Sequence, residues 1–342
     1  MAVRHKALAV LIALASVCAA TAGASRGEEI TLYSSREAAL VAPAVTAFTE
    51  ETGVKVNVVF VEDSLVKRLV SEGEASPADV LMTIGLDKTT QLSSRGLTQA
   101  LVSPRVEQAV PSNLRGDGAQ WFAVSVRPRV VLARKDSALA AIDYEDLASP
   151  QWQGKLCMRS PLHQNNVALV AAYLAHHGEA ATEAWLAGLK ANLVHKPVDK
   201  DNDVIREIAQ GRCEIGIGNT VALAQLRDGR DGADWRAWAM AVRAVPTVFK
   251  GGGTHVNLTG AAIAKHAPHP ALAQKFIEFL VAPEAQRIFA AAELEYPVLA
   301  AAEPAPIVAE IGSFTAEALP IDQVASHQQA AIALIRKVGF DE

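Results

Sequence analysis

The residues of this sequence best suited to bind a ligand come directly after its first apolar, β-branched run. Ser34, Ser35, Arg36 and Glu37 follow that run, and a helical pattern begins immediately after them. A helix start leaves backbone N–H groups without partners and carries partial positive charge, so it suits an anion or an oxygen-rich ligand. We expect the serine hydroxyls to donate hydrogen bonds to such a ligand, with Arg36 either pairing with it or held by Glu37.

Other polar groups also lie at the ends of predicted strands and helices. Arg127 and Arg129 flank Pro128 in an otherwise apolar segment. The remaining residues of this kind are His163, Gln164, Asn165, Asn219, Thr220, His255 and Asn257. Each has an ordinary structural explanation, because serine and asparagine cap helices and arginine usually stays in solvent. Their shared position at element ends nevertheless favours one common ligand site.

Sequence motifs of common enzyme classes are missing from the chain. It contains no phosphate-binding G-x-x-x-x-G-K-[ST], no zinc-binding H-E-x-x-H and no nucleophile motif G-x-S-x-G. None of its nine histidines lies at a spacing that selects a nucleophile or a partner acid. We predict a binding protein without catalytic residues. An exported enzyme that turns over its ligand is the alternative.

The amino terminus has the parts of a secretory signal peptide. Arg4 and Lys6 precede an apolar stretch at residues 7–20, and the small residues Ala22 and Ala24 follow it. This stretch is shorter than the ~20 residues that a membrane-spanning helix needs. We predict that residues 1–24 are cleaved and that the protein is periplasmic. The remaining chain has 37 acidic and 30 basic residues, so we expect no nucleic-acid partner.

Strand and helix patterns alternate along the chain. Helical stretches that end at Gly53 and Gly73 lie between strands rich in valine and isoleucine, as in the β-α-β units of a parallel sheet. A second α/β series follows residues 123–136, which we interpret as two extended segments around Pro128. We predict an α/β fold with two doubly wound lobes, a two-segment hinge and a ligand site in the cleft between the lobes. The predicted lobes comprise residues 28–133 with 247–295 and residues 134–246 with 296–342.

Two cysteines, Cys157 and Cys213, remain after the predicted cleavage. An even number of cysteines in an oxidising compartment favours a disulfide bond, and two separate buried thiols are the alternative. Each cysteine adjoins a predicted strand. We therefore expect the bond to stabilise the fold and to lie beside the cleft.

Several segments of the chain resemble one known family in the same order. They are "YSSR", "SEGEASPADVLMT", "YEDLASPQWQGKLCMRS", "GGGTHVNLTGAAIAK", "FIEFLVAPEAQ" and "EYPV". Together they resemble the periplasmic ferric-iron-binding proteins of bacterial ABC importers. The resemblance implies a two-lobed, monomeric periplasmic-binding-protein fold that closes on its ligand and docks on an inner-membrane permease. It also implies iron(III) as cargo, with no other cofactor.

The iron ligands of that family do not carry over to this chain. The family places a histidine and a tyrosine after "SSR", where this chain has Glu37 and Ala38, and its other phenol positions correspond to Asn165, Val221 and Ala222. The four tyrosines present are Tyr33, Tyr144, Tyr173 and Tyr296. None of them falls at a position where the family has an iron ligand, so the resemblance does not imply direct binding of ferric iron through phenolates.

Three hypotheses for the cargo remain open. Iron could arrive as a chelate whose carboxylates pair with arginines, or a different metal could bind through Glu37 and His163, which are an incomplete ligand set. A small organic or phosphorus-containing anion could also bind without metal. We rank a chelate or anion above a free metal ion. A periplasmic sensor with the same fold is a further alternative, because fold alone does not decide function.

Overall fold

The computed structural model describes residues 28–62 and 65–340. The predicted signal peptide at residues 1–24 lies outside these ranges. Across the described residues, every helix is too short or too polar to pass through a lipid bilayer.

A mixed β-sheet runs through the protein, with the strand order β2-β1-β3-β11-β5-β8-β7 along its main path. The strands are β1 (Glu29–Ser34), β2 (Lys55–Phe60), β3 (Val80–Ile84), β4 (Thr98–Gln99), β5 (Phe122–Arg134), β6 (Ile142–Asp143), β7 (Leu156–Met158), β8 (Ile215–Asn219), β9 (Val242–Val245), β10 (Thr247–Val248), β11 (Val256–Ala264) and β12 (Tyr296–Pro297). Strand β1 pairs in parallel with β2 and β3, and β7 pairs in parallel with β8. The predicted α/β fold class is confirmed.

Helices follow most of the strands in the chain. They are α1 (Ala38–Thr52), α2 (Leu65–Glu72), α3 (Leu86–Ser94), α4 (Pro104–Ala109), α5 (Gln164–Asn192), α6 (Asp201–Ala209), α7 (Thr220–Asp228), α8 (Ala233–Met240), α9 (Pro270–Leu280), α10 (Pro283–Glu293), α11 (Pro306–Ala309), α12 (Ile321–Ser326) and α13 (Gln328–Lys337). Gly53 ends α1 in the left-handed conformation, with φ of 73°, which glycine adopts without steric cost. Helix α5 contains a non-helical residue at Gly178, where the sequence predicts a break between two helices.

Strand β5 connects the two halves of the sheet. Its first part pairs antiparallel with β11 as far as Pro128, and its second part pairs antiparallel with β8 and β9 from Arg129 onward. The interpretation as two extended segments around Pro128 is therefore wrong, because the structure has one continuous strand. Proline cannot donate a ladder hydrogen bond. It is accommodated here because it lies where the strand changes its partner.

The lobe boundaries given by residue number stay a prediction. The strand pairing gives two sheet halves that share β5, and the predicted hinge segments correspond to β5 and β11. Helices α12 and α13 pack against α5, which belongs to the second half.

The predicted disulfide bond between Cys157 and Cys213 is confirmed, with a Cα–Cα distance of 5.9 Å. Its two cysteines lie at different distances from the carboxyl ends of the strands. Cys213 precedes β8 by two residues, and six residues of extended chain, which span roughly 20 Å, separate it from Asn219 at the end of β8. Cys157 lies in β7, only two residues before Arg159. The position of the bond beside the cleft stays a prediction.

Candidate ligand-binding cleft

Arg36 belongs to an internal ion cluster. Its guanidinium group contacts the carboxylates of Glu293 and Glu295, and its Nη2 donates to Thr259 Oγ1 at 2.6 Å. All three charged residues are buried, with Arg36 only 5% exposed. Arg36 is held by these carboxylates and not by Glu37. Pairing of Arg36 with ligand stays a prediction, and its Nε–H is the one part of the guanidinium group without a hydrogen-bond partner among the described residues.

Burial affects the two carboxylates of this cluster differently. Burial raises the pKa of Glu293 to about 7, because the attraction of Arg36 is partly cancelled by the negative charge of Glu295. For Glu295, burial also acts to raise the pKa, but the positive charges of Arg36 and Arg127 outweigh it and the pKa is lowered. Glu295 is therefore the permanent anion of the cluster, while Glu293 titrates near neutral pH.

Arg129 is also fully enclosed. Its Nε donates to Asn166 Oδ1 at 2.9 Å, and its Nη1 donates to Asp201 Oδ2 at 2.7 Å. Its exposed fraction is 0%. The structure places this predicted ligand-binding residue in an internal ion pair, because Asp201 from the start of α6 reaches it.

The two serines of the first loop form internal hydrogen bonds. Ser34 Oγ accepts from the Arg36 N–H at 2.9 Å and donates to the Arg36 carbonyl, so it holds the turn. Ser35 Oγ accepts from the Ile84 N–H at 2.9 Å, which ties the end of β1 to the end of β3. Ser35 also lines a cavity of about 200 Å³ together with Glu62, Thr83 and neighbouring residues. Both serines shape the loop, and only Ser35 borders a cavity.

Glu37 is exposed and directly precedes α1, but its side chain makes no capping hydrogen bond. The described residues contain one group of three side chains that could hold a metal ion, and neither Glu37 nor His163 is part of it. The structure thus does not bring these two candidate metal ligands into a shared site.

His163 and Asn165 lie at the start of α5. The Asn165 N–H donates to His163 Nδ1 at 3.2 Å, so the neutral ring carries its proton on Nε2. Burial, followed by the charges of Arg159 and Arg129, lowers the pKa of His163 to about 4. At neutral pH His163 therefore presents an N–H donor at Nε2. This argues against a metal ligand and suits an oxygen-bearing ligand.

Several buried polar atoms at this end of the strands have no hydrogen-bond partner among the described residues. Arg36 Nε, Glu293 Oε1 and Asp201 Oδ1 belong to the ion pairs above, and the others are Arg127 Nε, Arg159 Nε, Asn257 Nδ2 and Asn165 Oδ1. Buried polar groups are nearly always paired, and an unpaired one costs about 1–3 kcal/mol. Three of these last four atoms are donors, and two belong to cations whose nearest carboxylates are Glu295, 3.6 Å from Arg127, and Asp201, 4.0 Å from Arg159. The arrangement suits an anion with several oxygen atoms.

Several of these groups lie close enough together for their charges to interact. The charge of Arg127 acts on both Asp87 and His163, and the charge of Arg159 also acts on His163. Asn257 is the sheet partner of Arg127, so the two side chains lie on the same face of the sheet. We call the region around Asp87, Arg127, Arg159, His163, Asn165 and Asn257 the cleft.

The two halves of the protein approach each other at the cleft. A Cβ atom added to Gly85 would lie 2.8 Å from Asp87 Oδ1 and 3.5 Å from Gln164 Oε1. Gly85 precedes α3, and Gln164 is the first residue of α5. The amino termini of two helices from different halves of the sheet therefore meet here, and both favour negative charge.

Asn219 and Thr220 contribute less than the sequence predicts. Asn219 Oδ1 accepts from the Val221 N–H at 3.1 Å and caps α7. Thr220 is buried and lines a different cavity, of about 500 Å³, together with Pro128 and Tyr296. His255 Nδ1 contacts Glu317 Oε1 at 2.7 Å, while its buried Nε2 has no hydrogen-bond partner among the described residues.

Comparison with known proteins assigns the chain to a family. Residues 30–292 match the family described as bacterial extracellular solute-binding protein. The chain belongs to this family. The resemblance to periplasmic ferric-iron-binding proteins is confirmed by the relatives with which the chain shares most of its length.

The relatives cover nearly the whole chain. Iron uptake protein A1 of Synechocystis is 34% identical over 92% of this chain and 88% of its own length. The Bordetella ferric binding protein is 44% identical, with a TM-score of 0.89 over 92% of this chain and all of that one. A Trichodesmium protein solved in complex with iron and citrate ligands is 35% identical, with a TM-score of 0.87 over 91% of this chain and 99% of that one. The predicted two-lobed fold is thereby confirmed.

Several residues of the site were not predicted from the sequence. Arg159 directly follows β7, so the rule that selected the other strand-end residues could have found it. Asp87 lies in the first turn of α3 and could have been found in the same way. Glu293 and Glu295 gave no usable signal, because more than 250 positions separate them from Arg36.

Proposed function

We propose that this protein is the periplasmic solute-binding component of an ABC importer of the iron(III) type, and that its cargo is a ferric chelate. Membership of the solute-binding family supports the transport role. The names of its relatives support iron, since one is an iron uptake protein and another was solved with iron and citrate. The protein captures the cargo as a monomer and delivers it to an inner-membrane permease.

The unpaired hydrogen-bond donors of the cleft favour a ferric chelate over a bare iron(III) ion as the cargo. Ferric iron is a small, highly charged cation that needs anionic oxygen ligands. Among the cleft residues, Arg127, Arg159 and the Nε2–H of His163 are donors, and Asp87 is the one carboxylate, whose pKa is raised by burial. Val221 and Ala222, at the first turn of α7, are partly exposed and cannot ligate a metal. The iron must therefore bring its own anionic oxygens.

The placement of these donors implies that the two halves of the protein close around the ligand. Arg127 and Asn257 lie on the two strands that form the hinge, while Arg159, His163 and Asn165 lie beyond β7 in the second half. A polycarboxylate that touches both groups makes contacts that an open form lacks. Its binding thus favours the closed form, which a permease can distinguish from the open one. The role is transport and involves no turnover of the ligand.

A metal-free anion is the second candidate, favoured by the same donors. Isothermal titration of the mature protein with ferric citrate, with citrate alone and with ferric nitrilotriacetate separates the two functions. We expect ferric citrate to bind more tightly than citrate alone. Equal affinity for citrate with and without iron would show that the cargo is the anion.

A further inference from the structure

A cluster of metal-ligating side chains lies outside the cleft. Cys157 Sγ, His195 Nε2 and Glu207 Oε2 all lie within 4.8 Å of one another. Glu207 Oε2 is 3.3 Å from Cys157 Sγ, 3.8 Å from Cys213 Sγ and 2.5 Å from His195 Nε2. Four side chains from four separate segments therefore point toward one position.

The histidine of this cluster is oriented as a metal ligand. His195 Nδ1 is 2.6 Å from the backbone carbonyl oxygen of Lys196. A carbonyl oxygen can only accept, so Nδ1 carries a proton. Nε2 shares a second proton with Glu207 Oε2 across 2.5 Å, and a metal ion that replaces this proton meets the Nε2 lone pair. Ligating histidines are commonly held in this way, with the remote N–H bonded to a carbonyl or carboxylate.

The surroundings leave one side of the cluster open. Cys157, Cys213 and Glu207 are buried, whereas the His195 side chain is 37% exposed, so an ion can enter past the imidazole. Arg212 Nη1 lies 3.9 Å from Glu207 Oε1, which is the other oxygen of that carboxylate. The oxygen that faces the sulfur atoms is not engaged by an arginine in any of the ion pairs of the described residues.

In the disulfide form, the sulfur atoms of Cys157 and Cys213 are bonded to each other and cannot act as thiolate ligands. We propose that the dithiol form of this protein binds a divalent metal ion of the zinc type through Cys157, Cys213, His195 and Glu207. A small-molecule dithiol reduces the bond, becomes a cyclic disulfide itself and leaves two thiols on the protein. The metal ion then displaces the two thiol protons and the proton shared by His195 and Glu207. Two thiolates, an imidazole and a carboxylate complete the four-coordinate shell that zinc prefers.

The proposal makes the metal affinity depend on the redox state. In the disulfide form only His195 and Glu207 can ligate, and two ligands hold zinc weakly. In the dithiol form the bound zinc ion also protects the two thiolates from oxidation, so it slows re-formation of the disulfide bond. The four ligands of this site are distinct from the cleft residues, although Cys157 lies only two residues before Arg159.

The experiment compares the two redox forms of the mature protein. One sample is reduced with dithiothreitol and desalted under nitrogen, and both are titrated with zinc against a chromophoric chelator. We expect the reduced form to bind one zinc ion at least about 100-fold more tightly than the oxidised form. Cobalt(II) should give a thiolate charge-transfer band and the intense visible bands of tetrahedral coordination with the reduced form only.

Three variants distinguish this site from binding by the thiols alone. We expect His195→Ala and Glu207→Gln each to weaken zinc binding to the reduced form at least about tenfold. His266→Ala, which changes an exposed histidine elsewhere, should leave it unchanged. Equal affinity of the two redox forms would overturn the proposal. So would tight binding that persists in both ligand variants, including the case in which reduction unfolds the chain and zinc binds the free cysteines.

Discussion

At the scale of the residue, the arginines near the cleft differ in how closely a carboxylate approaches them. Arg36 and Arg129 lie within hydrogen-bond distance of buried carboxylates, whereas Arg127 is 3.6 Å from Glu295 and Arg159 is 4.0 Å from Asp201. The sequence predicts that arginines lie here but not which of them pair most closely with carboxylates. The compensating carboxylates come from distant segments and carry no local signal.

Removing Arg129 should destabilise the protein. Arg129→Ala removes the nearer of the two cations from the buried carboxylate of Asp201 and leaves only Arg159, 4.0 Å away, which costs up to about 3–5 kcal/mol of unfolding free energy. Arg134→Ala is the matched control, because Arg134 forms an exposed pair with Asp136 and such pairs contribute about 1 kcal/mol or less. Urea unfolding measures both variants. Equal midpoints for the two would contradict the role of Arg129 as an internal ion-pair residue.

The raised pKa of Glu293 should make stability depend on pH. The folded protein holds this proton up to a pH of about 7, whereas an unfolded glutamate releases it near 4.5. The contribution of Glu293 is therefore fully present below pH 4.5 and is lost as the pH rises to about 7. Glu293→Gln should lack this decline.

The measurement for Glu293 is the difference in unfolding free energy between wild type and variant at several pH values. The control is Glu284→Gln, because Glu284 forms an exposed pair with Arg287. The difference for Glu293→Gln should change between pH 4.5 and 7 and that for Glu284→Gln should stay nearly constant. A flat profile for Glu293→Gln would show that its carboxyl group titrates normally.

At the scale of the element, hydrophobic periodicity and glycine predict most of the secondary structure. The break between two helices at Gly178 and the end of α1 at Gly53 agree with the sequence. The error at Pro128 arose because proline normally interrupts a strand, while here it lies where β5 exchanges β11 for β8. Such a change of partner depends on segments more than 80 residues away and is not visible locally.

Gly85 connects β3 to α3 and should not tolerate a side chain. Its φ of 98° and ψ of 146° belong to a region that is almost restricted to glycine, and an added Cβ would lie 2.8 Å from Asp87 Oδ1. Gly85→Ala should cost about 1–3 kcal/mol in thermal or urea unfolding. Gly154→Ala provides the control, because Gly154 has φ of 67° and nothing within 4 Å of an added Cβ. If Gly154→Ala is as costly, crowding at Gly85 has no part in the effect.

At the scale of the whole molecule, the segments that resemble the ferric-iron-binding family, and their order along the chain, were enough to predict the two-lobed fold. The general position of the site at the strand ends could also be predicted, because ligands of such sheets bind there. The residues that face the cleft could not be separated from those that hold the loops. That distinction depends on how the halves meet, at Gly85 and Gln164, and on buried partners such as Asp201.

The cleft arginines should determine cargo affinity. Arg159→Gln and Arg127→Gln each remove a charged donor, and a hydrogen bond to a charged group contributes about 1.5–3 kcal/mol, or roughly tenfold to hundredfold in affinity. Isothermal titration with ferric citrate should show this loss for both variants. Arg134→Gln, on the exposed surface, should bind like wild type. Unchanged affinity in both cleft variants would exclude an anion clamp at this site.

The most direct test of the account is to load the metal-free mature protein with ferric citrate, remove free ligand by desalting, and measure iron and citrate in the protein fraction together with the visible spectrum. The account predicts that iron and citrate are retained together and that the protein gives no intense iron-phenolate absorption band. Retention of iron without citrate, accompanied by such a band, would contradict it.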